Sequence, residues 1–438
     1  MGKPTRRHKK THETISIFKA LTNKTSISRL TEILDVTPAH IYSKIDFLNA
    51  QVLKFANRRE ADLGAALAGK SVVFATDAQV LTVNWPARER RGIIPFLHLC
   101  TVHQGSQYVL ASTLDYDPDI SPEEVDNYME AVGDFDRPLS MRSQARLWSK
   151  REYERSVMSQ NATIISQDDL WVGNGLKLPG TGCRVRTDYA AYGHLMHVKK
   201  LIGDRYRHAQ FCLDPDSVLA PALAALMVNE VTRGRVDIAQ IKFEKGLSND
   251  KKQAYKAIGD RAYRDLRETY FHDIQRIRAE HPALTEQEAL VAILLEQSDE
   301  MTSPEERARA LKTDGFKWPF HNKGEPNKTI YLWTGSAQHT AVTLARLLCR
   351  GSTHPADAYF ARLRRRVAGF ERGSSSTSNA GRTWYAYAFY DPEMVVKMLN
   401  ILRFYQNYML KGPDNQTPAM RIGLAKGVVR ADDLFSYT

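Results

Sequence analysis

The sequence predicts an α/β fold with an all-helical segment in front of it. Three observations carry that expectation: a β-branched strand pattern at residues 71–85 (SVVFATDAQVLTVNW), a run of strand, acid, helix and strand at residues 207–243, and helix-period apolar residues over positions 11–60.

Composition sets the class. At 438 residues the chain has room for about three domains, and its 43% hydrophobic residues can fill a real core. Lys and Arg outnumber Asp and Glu by 61 to 50, a net charge of +11 that favours a polyanionic partner such as nucleic acid. Cys100, Cys183, Cys212 and Cys349 are far apart and form no C-x-x-C pair, which argues against a zinc knuckle or disulfide framework and fits a reducing cytosol. No apolar run reaches the roughly 18 residues of a membrane helix. The basic N-terminus lacks a signal peptide's apolar stretch, so no membrane association is expected.

Residues 1–10 (MGKPTRRHKK) read as a basic arm suited to phosphate contact. Helical pieces follow at 11–21, at 27–34 and from Pro38 onward, with Asp35-Val36-Thr37 as the turn before the third. Thr37 is placed to cap that helix and Pro38 to open it, where a missing N–H costs nothing. Ile41, Ile45, Leu48, Val52 and Phe55 recur at steps of four and three, giving one buried stripe. The layout is that of a helix-turn-helix. His40, Ser43 and Lys44 fall on other faces near the start of the third helix, where a recognition helix touches DNA. A plain helical hairpin would carry the same stripe.

Residues 72–75 are a short Val- and Phe-rich run that reads as a buried strand and delivers Thr76 and Asp77. A carboxylate there is costly unless it is paired or binds a metal. Residues 93–103 and 107–114, joined by turn residues 103–106, read as two further antiparallel strands. An acid-bearing strand followed by two hairpin strands opens an RNase H-like fold. Residues 115–180 read as an insertion, with a solvated acidic loop around Asp115, Asp117 and Asp119 and a helical stretch at 142–157. A calcium loop is not expected, because its Gly and terminal Glu are absent.

The second acid follows a helix at 190–203. Residues 207–213 read as a strand ending on Asp214, followed by a helix at 217–232 and a strand at 236–243. Asp214 directly follows the apolar strand, whereas its rival Asp216 lies where a helix cap belongs and Asp188 precedes a helix. Residues 248–315 form a charged helical segment whose faces read as solvated, and 318–333 a Gly-, Pro- and Asn-rich connection ending in strand-like TIYLW. After a helix at 340–349 and a break at 351–355, a further helix carries Asp357 in its first turn and Arg362, Arg364, Arg365 and Arg366 at its far end. Two helical turns put Asp357 and Arg364 on one face, a carboxylate for a metal beside a cation for a phosphate. Helix-dipole preference alone would also place an acid first and the arginines last.

Taken in order, TDAQVLTVNW, QFCLDPDS, PADAYFARLRRRV, GRTWYAYAFYDPEMVVKMLNILRFYQNYM and TPAMRIGLAKG resemble bacterial insertion-sequence transposases of the DDE/DDD type, over nearly all of the chain after residue 11. The most specific parts are the triple-Arg helix, the helix ending Arg403-Phe404-Tyr405-Gln406-Asn407-Tyr408, and the segment from Thr417 to Ala425, in that order. The resemblance implies an RNase H-like catalytic core with helical insertions, preceded by the helix-turn-helix. It puts the family's three acids on Asp77, Asp214 and Asp357, and the basic residue that follows the third on Arg364. The family's third acid is more often Glu, for which Glu325 and Glu393 are the alternatives, and the zinc ribbon of many members has no counterpart.

The resemblance further implies two Mg²⁺ or Mn²⁺ ions as cofactor, bound by the three acids. Such a pair, about 3.5–4 Å apart, activates a water or a DNA 3′-hydroxyl for cleavage and strand transfer. The partners implied are double-stranded DNA, as element ends and as target, and further copies of the chain in a homo-oligomer on that DNA, in the bacterial cytoplasm at the nucleoid. The expected organisation is an arm and helix-turn-helix at 1–65, a catalytic core at 66–247 and 340–410, insertions at 115–180 and 248–339, and a C-terminal tail at 411–438. Two other classes share parts of the pattern. A non-transposing RNase H-like nuclease would keep the acids without needing the helix-turn-helix, and a domesticated, catalytically silent DNA-binding protein would keep the helix-turn-helix and lose acids.

Overall fold

The computed structural model describes residues 5, 10–84, 93–152, 182–297, 303–334, 339–375 and 383–437. Most of the basic arm, Trp85 and residues 153–157 of the expected insertion helix lie outside the described residues.

Three helices open the chain: α1 (Glu13–Leu21), α2 (Ile27–Leu34) and α3 (Pro38–Glu60). Asp35 ends α2 in the left-handed region at φ 50°, which a short polar side chain tolerates. Thr37 then accepts a hydrogen bond from the His40 amide and Pro38 occupies the first turn of α3. The stripe Ile41, Ile45, Leu48, Val52 and Phe55 is buried. It does not close a separate N-terminal unit, as the sequence led us to expect. Phe55 packs edge-on to Phe404 and Tyr408, with ring centroids 5.4 and 5.2 Å away, so the stripe belongs to the main core.

The short α4 (Leu63–Ala66) leads into β1 (Ser71–Asn84), an interior strand of a seven-stranded mixed sheet. The strands β2 (Ile93–His103) and β3 (Tyr108–Leu114) extend the sheet antiparallel on one side of β1. A small pair, β4 (Tyr116–Asp117) with β5 (Cys183–Arg184), brackets α5 (Pro122–Ala131). After α6 (Thr187–Ile202), β6 (His208–Leu213) returns beside β1 in parallel. Helices α7 (Leu219–Leu226) and α8 (Val228–Thr232) then carry the chain to β7 (Val236–Lys242), parallel to β6.

A helical block follows: α9 (Asn249–Thr269), α10 (Phe271–Glu280), α11 (Glu286–Glu296) and α12 (Pro304–Thr313). The strands β8 (Phe316–Lys317) and β9 (Thr329–Leu332) close the sheet antiparallel beyond β7, giving the order β3-β2-β1-β6-β7-β9-β8. The last helices are α13 (Ala341–Arg350), α14 (His354–Arg366), α15 (Pro392–Phe404), α16 (Pro418–Ile422) and α17 (Ala431–Phe435). On one face of the sheet α14 lies over β1 and β2, where Tyr359 and Phe360 meet His98, and on the opposite face α6 lies against β2 and β3, where His194 bonds Thr101 and Thr113.

Several local expectations need correction. Residues 142–149 form a turn and a bridge, Leu147 to Val185, because the segment is held by β5 and not by helical periodicity. Asp115 is fully buried, takes a hydrogen bond from the Leu97 amide at 2.6 Å and pairs with Arg184 at 2.9 Å, so it is no part of a solvated loop. The expected helix at 217–232 is broken at Met227. Within the charged segment α11 is buried almost all round and forms a second core with α10, α13, β7 and β9. The presumed tail at 411–438 buries Ala419, Ile422, Leu424, Leu434 and Phe435 in the main core.

Candidate active site

Register brings the first two acids together. The parallel pairing of β1 with β6 ends at Thr76 and Leu213, so the next residue on each strand is Asp77 and Asp214. Parallel strands in register point equivalent residues to one face. The third acid, Asp357, comes from the first turn of α14, which lies over β1. Asp77 and Asp357 both line a cleft of about 1110 Å³, together with Lys245, which stands just beyond the end of β7.

The acids are electrostatically coupled. Burial, then the charges of Asp214 and Asp357, push the Asp77 carboxyl up from 3.8 to about 8, against the opposing pull of the Ala78 amide and Lys245. Asp77 sits in mid-strand, 6% exposed, with one backbone donor among the described residues, the Ala78 amide at 2.7 Å, so little offsets the cost of ionising it. Asp357 is also raised, first by burial and further by Glu325 and Asp214, with Lys245 and His354 opposing. The Lys245 ammonium lies 3.2 Å from both oxygens of Asp214. Burial alone would lower Lys245, but Asp214, Asp77 and Asp357 together raise it. Among the described residues, no three His, Cys, Asp or Glu side chains stand close enough to share one metal ion. Asp77 and Asp357 share a cleft, and all three acids share Lys245 as a counter-ion, but not a common coordination shell.

The cleft is otherwise strongly basic. Lys252, Lys323, Arg362, Arg364, Arg365, Arg366 and Arg372 line it with Lys245, against the acids Asp77, Glu244 and Asp357. Lys252 and Lys323 are brought in by a close crossing of α9 over the 320–324 loop, where a Cβ on Gly259 would lie 2.4 Å from His321 N. Arg364 donates to Gln79 Oε1 at 2.7 Å, and Gln79 Nε2 meets His98 Nδ1 at 3.0 Å. Burial holds His98 down to about 3, so it is neutral and its other nitrogen donates to Ser112 Oγ at 2.7 Å. Asp77 and Gln79 are two apart on β1 and face the same helix. Period-two spacing was the signal that could have singled out Gln79.

The other expected residues fall as follows. Ser43 is exposed, but Lys44 is buried at 3% exposure, with burial lowering it and Glu13 raising it, so it does not offer its charge to DNA. His40 is half-buried, 3.0 Å from Glu13 Oε2. Both corrections have one cause: α1 brings Glu13 against the start of α3. At the end of α14, Arg365 is exposed, whereas Arg362 bonds Gln406 and Arg366 bonds Asn23, Thr22 O and Tyr405. Glu325 is 2% exposed and fully engaged, by Lys328, Ser352 Oγ and the amides of Thr353 and His354. It anchors the start of α14 and thereby sets Asp357. Glu393 pairs with Lys397 on α15, outside the residues that line the cleft. Asp216 caps the start of α7 through the Val218 and Leu219 amides.

Lys245 is the functional candidate that sequence reasoning missed. Like Asp214 it lies past the carboxyl end of a parallel strand, the edge where α/β sheets bind ligands, and that position was its available signal. Comparison with known proteins adds no relative: no family model and no curated protein matches the chain.

Proposed function

We propose that this chain is a DDE/DDD-type transposase that cuts and joins DNA at the ends of a mobile element. The observation that carries the reading is the electrostatic coupling of Asp77 to Asp214 and Asp357, beside a cleft that Asp77 and Asp357 line and in whose wall Lys and Arg outnumber the acids. Three antiparallel strands followed by parallel β6 and β7, with acids on β1, after β6 and on a covering helix, support an RNase H-like core. The α2–turn–α3 arrangement with Ser43 exposed supports a helix-turn-helix, although His40 and Lys44 are turned toward Glu13. The DNA it would take is double-stranded, and joining two ends calls for a homo-oligomer. Among the described residues no helix is long and apolar enough to cross a membrane.

The donor set suits a hard cation, since three carboxylates supply only oxygen. Asp77 and Asp214 from adjacent strands and Asp357 from α14 would hold Mg²⁺ or Mn²⁺, with Lys245 leaving Asp214. When bound, such ions supply Lewis-acid activation of the phosphodiester and of the attacking oxygen. The chain's own residues do the rest. Arg364, oriented by Gln79, and Arg365 hold phosphates, and Lys252 and Lys323 extend the basic wall along the duplex.

The test uses a supercoiled plasmid carrying the gene with its own flanking sequence. With Mg²⁺ the parent should cleave and rejoin it. Asp77→Asn should lose both activities together by roughly two orders of magnitude or more, the scale of lost charge stabilisation at a reacting centre, while retaining DNA affinity. An Asp77→Asn protein that still joins ends would remove the first acid from the assignment. A second reading has one observation in its favour: the Lys245–Asp214 pair together with the lack of a shared coordination shell fits a silent DNA-binding protein. Binding without cleavage by the parent in either Mg²⁺ or Mn²⁺ would select it.

A further inference from the structure

We propose that Lys245 is the resident counter-ion of the Asp77, Asp214 and Asp357 cluster, and that a divalent cation entering the cluster must displace it. The inference rests on the metal-dependent reading above and goes beyond it, because it assigns a competitor for the ion to this chain's own sequence.

Position comes first. Asp214 follows β6, and Lys245 follows the neighbouring parallel strand β7, so the sheet delivers acid and ammonium to the same edge. The ammonium is 3.2 Å from Asp214 Oδ1 and 3.2 Å from Oδ2, so it stands in front of both oxygens that a metal would need. The other acids nearby are taken elsewhere: Glu244 accepts from Tyr255 at 3.0 Å and Glu325 from Lys328 at 2.9 Å. Lys245 therefore answers to the cluster, and its charge acts on Asp77 and Asp357 as well as on Asp214.

The contact is built to be given up. The Lys245 side chain is 49% exposed and that of Asp214 is 24% exposed. A half-exposed ion pair is weak, and a lysine stem is flexible enough to swing. Lys245 itself lines the basic cleft, where a phosphate of bound DNA would be the alternative partner of the released ammonium. One cation thus holds the acids against their mutual repulsion in the metal-free protein and yields to a divalent ion when the site is loaded.

The experiment measures binding of Mn²⁺ alone to the full-length protein by calorimetry and by the electron paramagnetic resonance of the bound ion. Lys245→Met should bind Mn²⁺ about fivefold more tightly than the parent, equivalent to about 1 kcal/mol at 1.4 kcal/mol per decade. Lys245→Arg, which keeps the charge, should stay within about twofold of the parent on the same scale. Adding Asp77→Asn should abolish binding in every background. Equal affinity of Lys245→Met and the parent, or equal tightening by Lys245→Arg, overturns the inference and leaves the metal site standing. No Mn²⁺ binding by either parent or Lys245→Met overturns the metal-dependent reading and this inference with it. Should Lys245→Met lose its native circular dichroism, Lys245→Gln takes its place under the same outcomes.

Discussion

Asp77 shows at the scale of one residue how a fold holds a proton. Its carboxyl ordinarily titrates at 3.8 and is pushed to about 8 by burial and two neighbouring acids. Between those values the native protein keeps a proton that the unfolded chain has released, so the native state is favoured less and less as pH rises through that window. The contribution is present below the unfolded value and gone above the folded one. In EDTA, the stability of the parent relative to Asp77→Asn should therefore fall from about pH 4 to about pH 8, by up to about 1.4 kcal/mol per pH unit. Urea unfolding of both proteins at half-unit steps from pH 5 to 8 reads this directly. Parallel stability profiles would mean that Asp77 holds no such proton.

At the scale of elements, the joint between α3 and α15 is the one on which the most depends. Arg403 of α15, 8% exposed, bonds Glu60 at the end of α3 and the backbone oxygens of Val109 and Leu110 on β3. Tyr108 donates to Glu60 at 2.8 Å and lies 2.9 Å from Tyr408, so the ion pair is embedded in a satisfied network. Removing one partner strands a buried charge, which costs far more than the pair contributes. Arg403→Leu should lose about 3–5 kcal/mol, and the double variant with Glu60→Gln should recover part of it. Chemical denaturation in a double-mutant cycle measures the coupling. Additive losses would show that Glu60 and Arg403 do not act as a pair.

For the molecule as a whole, the N-terminal helices are part of the main core. Phe18, Phe47 and Phe55 pack against Phe435, Phe404 and Tyr408, which joins α1 and α3 to the last helices of the chain. Deleting residues 1–60 would expose the partners of that stripe and delete Glu60, leaving Arg403 buried without it. The fragment is expected to aggregate or melt without cooperativity, a loss beyond the roughly 5–15 kcal/mol that holds a domain together. A thermal scan and limited proteolysis of purified 61–438 settle the point. A cooperative melt near that of the parent would restore an independent N-terminal unit. If the proposed transposition needs α1–α3 to move apart from the sheet, this shared core limits that motion.

The sequence by itself determined what depends on near neighbours. Thr37-Pro38 starts α3, apolar steps of four and three give its buried stripe, β-branched runs give β1, β2 and β6, and Asp214 closes its strand as expected. Each is set by rotamer, capping or periodicity over a few residues. Tertiary structure alone decided the rest, because burial and charge depend on groups far away in the chain. Lys44 reads as a free cation until α1 covers it, Asp115 reads as solvated until Arg184 reaches it, and the charged run that contains α11 reads as a solvated face until α10 and α13 enclose it. The candidate site divides the same way. The acids could be named from an apolar strand, a strand end and a helix start, but their mutual reach follows from the register of β1 on β6 and the lie of α14, and Lys245 joins them only because β7 ends beside β6. A strand's own residues specify its pattern, while its partner and register are set by which faces the whole chain can bury together.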